Sequence, residues 1–252
     1  MAVEPPHWHP LYMSHGNGNA MQAIILAGGR GTRLQAVCPD VPKVMAPVGS
    51  RPFLAILIDH LACQGIESVI LSVGYRHQAV VEFFGKRHGS VSISYAIEHS
   101  PLGTGGAIRL ALAQVSVDAA LVLNGDTFLR TDYRKLMQAH RESGAPLTIA
   151  VKHVDDTSRY GRVALSGGRI VGFSEKQAAG PGLINTGAYV VGARIFDGFD
   201  LPASFSFERD FLYRAVAALA PHGHVIDGYF IDIGVPEDYR RAVTDLSDQA
   251  RG

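Results

Sequence analysis

Cysteine is scarce in this chain. Only Cys38 and Cys63 occur among 252 residues, and neither stands in a CxxC pair. That argues against a disulfide framework or a cysteine zinc site and suggests a reducing compartment, the cytoplasm. Neither sign of charge is in excess, with 23 Lys plus Arg against 23 Asp plus Glu. Nucleic-acid binders are ordinarily basic, so no nucleic-acid partner is expected. No apolar run nears the ~18 residues of a membrane span, so no membrane partner is expected either. Histidines are plentiful, but no HExxH or Cys/His cluster appears. Two familiar phosphate motifs are also missing. Gly85-Lys86 is followed by Arg87, where a P-loop needs Ser or Thr. Gly29-Arg30-Gly31 meets Leu34, and the run from Gly103 meets Ile108, where a dinucleotide fingerprint needs Gly. This argues against a nicotinamide dehydrogenase.

What is present alternates. Residues 1–20 are rich in Pro, His, Gly and Asn, lack an apolar signal-peptide core, and read as a disordered tail or extension outside the fold. From Gln22 onward, strands are expected at 22–27, 68–74, 91–98, 119–126 and 146–154. Helices are expected between them at 51–65, 76–86, 103–115 and 132–144, with Gly65 closing the first. This order implies an α/β fold with a Rossmann-like, doubly wound, parallel sheet. The second half changes character, with a hairpin at 161–176 turning on Gly167-Gly168, a strand at 183–192, and helices at 208–219 and 236–247. With no sharp linker, that half is expected to pack on the first as a small lid subdomain, making the sheet mixed.

Two features carry chemistry. The stretch "IILAGGRGTRLQ" runs from a buried strand into Gly28, Gly29 and Gly31, with Arg30 and Arg33 among them. It reads either as a tight turn with solvated arginines or as a phosphate cradle of backbone N–H groups. In open α/β sheets ligands sit at the carboxyl ends of strands. Asp126 ends the 119–126 strand and Asp232 ends a later one. Each alone could be a cap or turn residue. Together, beside glycine loops, they suggest a Mg²⁺–nucleotide site.

The run "LAGGRGTRLQ…PDVPKVMAPVGSRPF", with "NGD", "GFSEK", "NTGAYV" and "DIGVPEDY" following in order, resembles the sugar-1-phosphate nucleotidylyltransferases. "PLGTGGAIRLAL" and "LSVGYRH" resemble its branch of D-glycero-α-D-manno-heptose 1-phosphate guanylyltransferases, with mannose-1-phosphate guanylyltransferases as near neighbours. The resemblance implies a nucleotidyltransferase fold like that of the glycosyltransferase-A enzymes. Residues 21–252 would be one domain, with a nucleotide-binding half to about 150 and a sugar-binding half after it. It implies transfer of GMP from GTP to the heptose 1-phosphate for surface polysaccharide, with mannose 1-phosphate as the alternative acceptor. Leu26, Ala27, Gly28, Gly29, Gly31 and Thr32 would bind the nucleotide, backbone N–H groups from Gly28 to Thr32 cradling its triphosphate, while the loop of Gly103, Thr104 and Gly105 would help to read the base through its backbone. Arg33 would neutralise pyrophosphate, Lys43 would meet the α-phosphate, and Asp126 and Asp232 would hold Mg²⁺. Lys176 would grip the sugar phosphate, with Gly125, Glu175, Asn185, Thr186 and Gly187 lining the sugar pocket. The plainer reading of these positions is surface charge and turn caps.

Relatives that use uridine or thymidine tend to carry Gln just before "PLGTGG", where this chain has Glu98. A carboxylate only accepts hydrogen bonds, and guanine offers two adjacent donors, N1–H and the 2-amino group. Glu98 therefore favours GTP; the rival reading is a solvated strand-end carboxylate. Thirteen residues follow Tyr239, with no hexapeptide repeat, so a single activity is expected; homo-oligomerisation is left open. The rival from another class is an inactive paralogue that binds nucleotide-sugar. Retention of Arg33, Lys43, Asp126, Lys176 and Asp232 argues against it.

Overall fold

The computed structural model describes residues 21–29, 31, 34, 38, 41–174 and 180–247. The readings made for 1–20, Arg30, Thr32, Arg33, Glu175 and Lys176 lie outside these residues. The first half runs β1 (Gln22–Leu26), a 3-10 turn (Lys43–Met45), β2 (Pro47–Val48), β3 (Arg51–Pro52), α1 (Phe53–Ala62), β4 (Ser68–Val73) and α2 (His77–Phe84). It continues through β5 (Arg87–His88), β6 (Val91–Ile97), α3 (Gly103–Leu112), β7 (Ala119–Asn124), β8 (Thr127–Leu129), α4 (Tyr133–Ser143) and β9 (Leu147–Val154). The second half holds β10 (Arg162–Ser166), β11 (Arg169–Ser174), β12 (Gly182–Gly192) and a π-helical turn (Phe207–Leu212). Then follow α5 (Tyr213–Leu219), β13 (His222–Ile226), β14 (Phe230–Asp232) and α6 (Pro236–Ser247).

Local sequence accounts for these boundaries. Asp132 caps α4 by accepting from the N–H groups of Arg134 and Lys135, and Gly144 closes it at φ +61°. Gly65, at φ +81°, closes α1 as expected. Its N–H reaches Ala62 and that of Ile66 reaches Leu61, the paired bonds of a Schellman ending. Gly167 and Gly168 both have positive φ, which a two-residue type I′ turn requires, and β10 folds back on β11 there.

Ten strands form one sheet in the order β10-β11-β13-β9-β12-β7-β1-β4-β6-β5. The five strands predicted to run parallel, β1, β4, β6, β7 and β9, do point the same way. However, β12 lies between β7 and β9, antiparallel to both. The sheet is therefore mixed, and the strands of the second half continue it. Core covers both faces. Along β7, Leu121 and Leu123 join the cluster under α1, α4 and α6, while Ala120 and Val122 join the one under α3 and α5. Burial on both faces explains why the strands read as near-continuous apolar runs.

Candidate active site

The sheet has a switch point beside β1. From β1 the chain goes through α1 to β4 on one side; after β6, α3 carries it back to β7 on the other. A crevice at the carboxyl ends of these strands is the place where such folds bind ligands. Register defines what lines it. Leu26 pairs with both Ser72 and Asn124, and Ser72 pairs with Ala96. Two residues beyond that level on each strand lie Gly28, Gly74, Glu98 and Asp126. One layer of the sheet thus delivers the glycine loop and two carboxylates.

The glycines are required for close approach. A Cβ on Gly28 would lie 2.6 Å from Glu98 Oε1, and one on Gly31 2.6 Å from Lys43 Cβ. Gly31 also has φ +57°, a conformation side chains rarely adopt. Among the described residues, none accepts from the N–H groups of Gly28, Gly29 or Gly31. Leu26 and Ala27 act through their backbones: Leu26 O accepts from Gly125 N at 2.9 Å, and Ala27 N donates to Ser72 O at 2.7 Å. Gly125 has no room for a side chain, because its Cβ would lie 2.6 Å from Leu26 O. It seats β7 against β1 just before Asp126.

Asp126 and Asp232 are brought together by β8 pairing with β14, with Ile233 N donating to Asp126 O at 2.9 Å. Lys43 lies between them, its Nζ 2.5 Å from Asp126 Oδ2 and 3.7 Å from Asp232 Oδ1. The lysine is mostly buried, while each carboxylate keeps about a third of its surface open. Burial raises Asp232 above the ordinary carboxylate range, and neighbouring Asp126 adds to the rise; Lys43 and the Gly234 N–H oppose it. The pair suits Mg²⁺, which typically takes one or two protein carboxylates and completes its shell with water and substrate phosphate. The ammonium already occupying a position between them shows that this spot favours a cation.

Glu98 is half-buried rather than solvated. Its Oε2 accepts from Leu102 N at 3.1 Å and its Oε1 from Ser72 Oγ at 3.5 Å. Burial pushes it up, opposed by those two donors. Each carboxylate oxygen can accept more than one bond, so capacity for a base remains.

The "GTGG" glycines face the second half. Gly103, Gly105 and Gly106 each approach Ala203–Phe205 so closely that a Cβ would collide. Gly105 N donates to Phe205 O at 2.9 Å, Phe205 N to Leu102 O at 2.9 Å, and Phe207 N to Thr104 Oγ1 at 2.9 Å. The Gly105 amide is therefore engaged within the protein, and Thr104 is a bracket for the segment leading into the π-helical turn.

Within β12's register shift, Gly187 (φ +74°) lies against the Asn124 side chain, and Thr186 is buried with its hydroxyl on Ala150 O at 2.8 Å. Thr186 thus serves the strand, whereas Asn185 is half-buried and bonded to Tyr189 and Glu208. Three further participants escaped the sequence reading. Glu208 looks like an ordinary first-turn acid of the 208–219 helix, and Tyr189 like core. Arg159 looks like a loop charge, yet it binds the buried Asp238 of "VPEDY", which raises its guanidinium, and it lies in the field of Asp232.

Comparison with known proteins agrees with this geometry. Residues 22–249 match the family of nucleotidyl transferases. The D-glycero-α-D-manno-heptose 1-phosphate guanylyltransferase of Aneurinibacillus thermoaerophilus is 43% identical over 226 residues, covering 90% of this chain and 98% of that protein. The protein of the same name from Campylobacter jejuni is 44% identical, covering 87% and 97%. The crystal structure of HddC from Yersinia pseudotuberculosis complexed with GMP-PN superposes with a TM-score of 0.81 at 36% identity, covering 90% of this chain and 99% of that one. The chain belongs to the nucleotidyl transferase family, among its sugar-1-phosphate nucleotidylyltransferases.

Proposed function

We propose that this enzyme transfers GMP from GTP to D-glycero-α-D-manno-heptose 1-phosphate, giving GDP-heptose and pyrophosphate. The observation that carries the reading is the Lys43 ammonium held between Asp126 and Asp232, beside the glycine loop at the sheet's switch point. The two guanylyltransferase relatives, covered over nearly their whole lengths, support the choice of base and sugar. In the reaction a phosphate oxygen of the sugar attacks the α-phosphorus, a new P–O bond forms, and the bond to pyrophosphate breaks. Such transfer needs positioning and positive charge more than covalent help. The N–H groups of the β1 loop take the triphosphate oxygens, and Lys43 meets the charge gathering at the α-phosphate. Asp126 and Asp232 would hold Mg²⁺, which supplies Lewis-acid activation and charge neutralisation when bound. Glu98 accepts from the guanine edge. Thr32, Arg33, Glu175 and Lys176 take the phosphate and sugar roles that resemblance gives them. We place the enzyme in the cytoplasm, where nucleoside triphosphates are made, and residues 21–252 act as one unit with a nucleotide half and a sugar half.

The test is pyrophosphate release with Mg²⁺, crossing four nucleoside triphosphates with the heptose 1-phosphate and mannose 1-phosphate. Release with GTP and the heptose alone is expected. Preference for mannose 1-phosphate would move the acceptor, a discrimination often worth only ~1–3 kcal/mol. Release with a different triphosphate would discard the role of Glu98, and no release with any pair would overturn the reading.

A further inference from the structure

Resemblance puts Asn185 in the sugar pocket, yet its amide is committed within the protein. Oδ1 accepts from Gly187 N at 3.0 Å, and Nδ2 donates to Tyr189 Oη at 2.8 Å and to Glu208 Oε1 at 2.7 Å. An amide nitrogen has two hydrogens, so both are spent. The amide's orientation is fixed from both ends, because Gly187 N–H can only donate and the Glu208 carboxylate can only accept. Tyr189 donates its hydroxyl to the same Oε1 at 3.0 Å. Burial, then neighbouring Glu208, holds Tyr189 well above the ordinary phenol range, so it remains a neutral donor.

What this cluster still offers is an acceptor. Glu208 is half-buried, and its Oε2 has no partner among the described residues. Its place is the junction of the two halves. On one side Phe207 is tied to Thr104 of the nucleotide loop. On the other, Asn185 stands two residues before Gly187, which packs against Asn124 near Asp126.

We propose that Glu208 is a sugar-binding residue whose Oε2 accepts a hydroxyl of the sugar 1-phosphate, with Asn185 and Tyr189 holding the carboxylate in place. The proposal rests on the sugar-1-phosphate reading above. Its chemistry is directional. A carboxylate that only accepts takes a hydroxyl donor and repels a phosphate, so it turns the sugar's hydroxyls toward Glu208 and its phosphate toward Lys43. The Oε1 bonds matter because a free glutamate would lose rotamer freedom on binding, and this one is already ordered.

The experiment compares the full-length wild type with Glu208→Gln in steady-state pyrophosphate release and in calorimetric binding of the sugar 1-phosphate. Glutamine keeps the shape but puts a donor where the open acceptor was. A sugar 1-phosphate KM raised about tenfold or more, with the GTP KM changed less than about twofold, is expected. An unchanged sugar KM, or equal losses for both substrates, would overturn the role. If the wild type turns over no sugar 1-phosphate, the reaction assignment fails instead and calorimetry decides for Glu208: weaker binding by the variant upholds it, equal or absent binding overturns it. Should Glu208→Gln give no cooperative melt, Glu208→Asp, which keeps the charge but withdraws it by one methylene, is read the same way.

Discussion

Lys43 is the residue on which the site depends, because it answers two carboxylates that would otherwise repel one another. Lys43→Met is expected to lower kcat by about 10²–10³, the range seen when a positioned donor to transition-state charge is removed. It should also move the acidic limb of the pH–rate profile upward. Lys43 holds Asp232 down against burial and Asp126, so without it Asp232 takes a proton at higher pH. An unchanged acidic limb would mean that Lys43 and Asp232 are not coupled during turnover. Glu98 makes a second prediction. Glu98→Gln can still accept from Leu102 N–H, so the loop should hold while preference for GTP over UTP and dTTP falls; retained selectivity would assign base reading to the loop backbone. Much of this was legible in sequence, because a carboxylate after an apolar strand and a glycine beside it are local signals. That Lys43 bridges the two aspartates was not, since it needs β8 to pair with a strand distant in sequence. Nor was Glu208, whose role comes from its contact with Asn185.

Among elements, the join between β1 and β7 sets the geometry, and Gly125 makes it. Its N–H meets Leu26 O, and a methyl there would press into that oxygen, Ile25 and Val44. Gly125→Ala is expected to destabilise the fold by about 1–3 kcal/mol, as overpacking does, and to cut turnover further by shifting Asp126 from Lys43. Thermal melting and kcat check it; a variant with unchanged values of both would show that the strands part without consequence. Elements themselves were readable wherever punctuation was strong. Asp132 and Gly144 bound α4, and paired glycines turned β10 into β11. Strand order was less readable. The long apolar run of β12 reveals burial but not that it enters antiparallel between β7 and β9, because a strand buried on both faces reads alike in either direction. The 208–219 segment reads as one helix, yet it opens with a π-helical turn where Ser206 accepts from Arg209 N and Glu208 reaches back to β12.

For the whole molecule, one buried and four half-buried imidazoles set how stability follows pH. His140 is held down to about 4, first by burial, then by Arg141 and His222, with its Nδ1 3.0 Å from Thr148 Oγ1. Burial likewise lowers His60, His88, His222 and His224. Unfolded, each titrates near about 6.5, so the unfolded chain binds more protons below that pH and stability rises with pH. The stability is full above about 6.5 and is lost as pH falls toward the folded value. For His140 alone that displacement corresponds to about 3 kcal/mol. Asp232 works in the opposite direction. Its raised value means that burying the charged carboxylate costs stability at neutral pH, and protonation relieves that cost as pH falls. Glu98, also raised by burial, acts the same way, but these two partly exposed carboxylates are outweighed by five imidazoles, one of them far displaced. The melting temperature should therefore fall steadily from pH 7 to pH 5 in the full chain, and His140→Gln, which removes the largest single contributor, should flatten the curve. A wild-type melting temperature constant over that window would show that the imidazoles charge without cost in the folded state. A variant curve as steep as the wild type's would move the acid sensitivity away from His140.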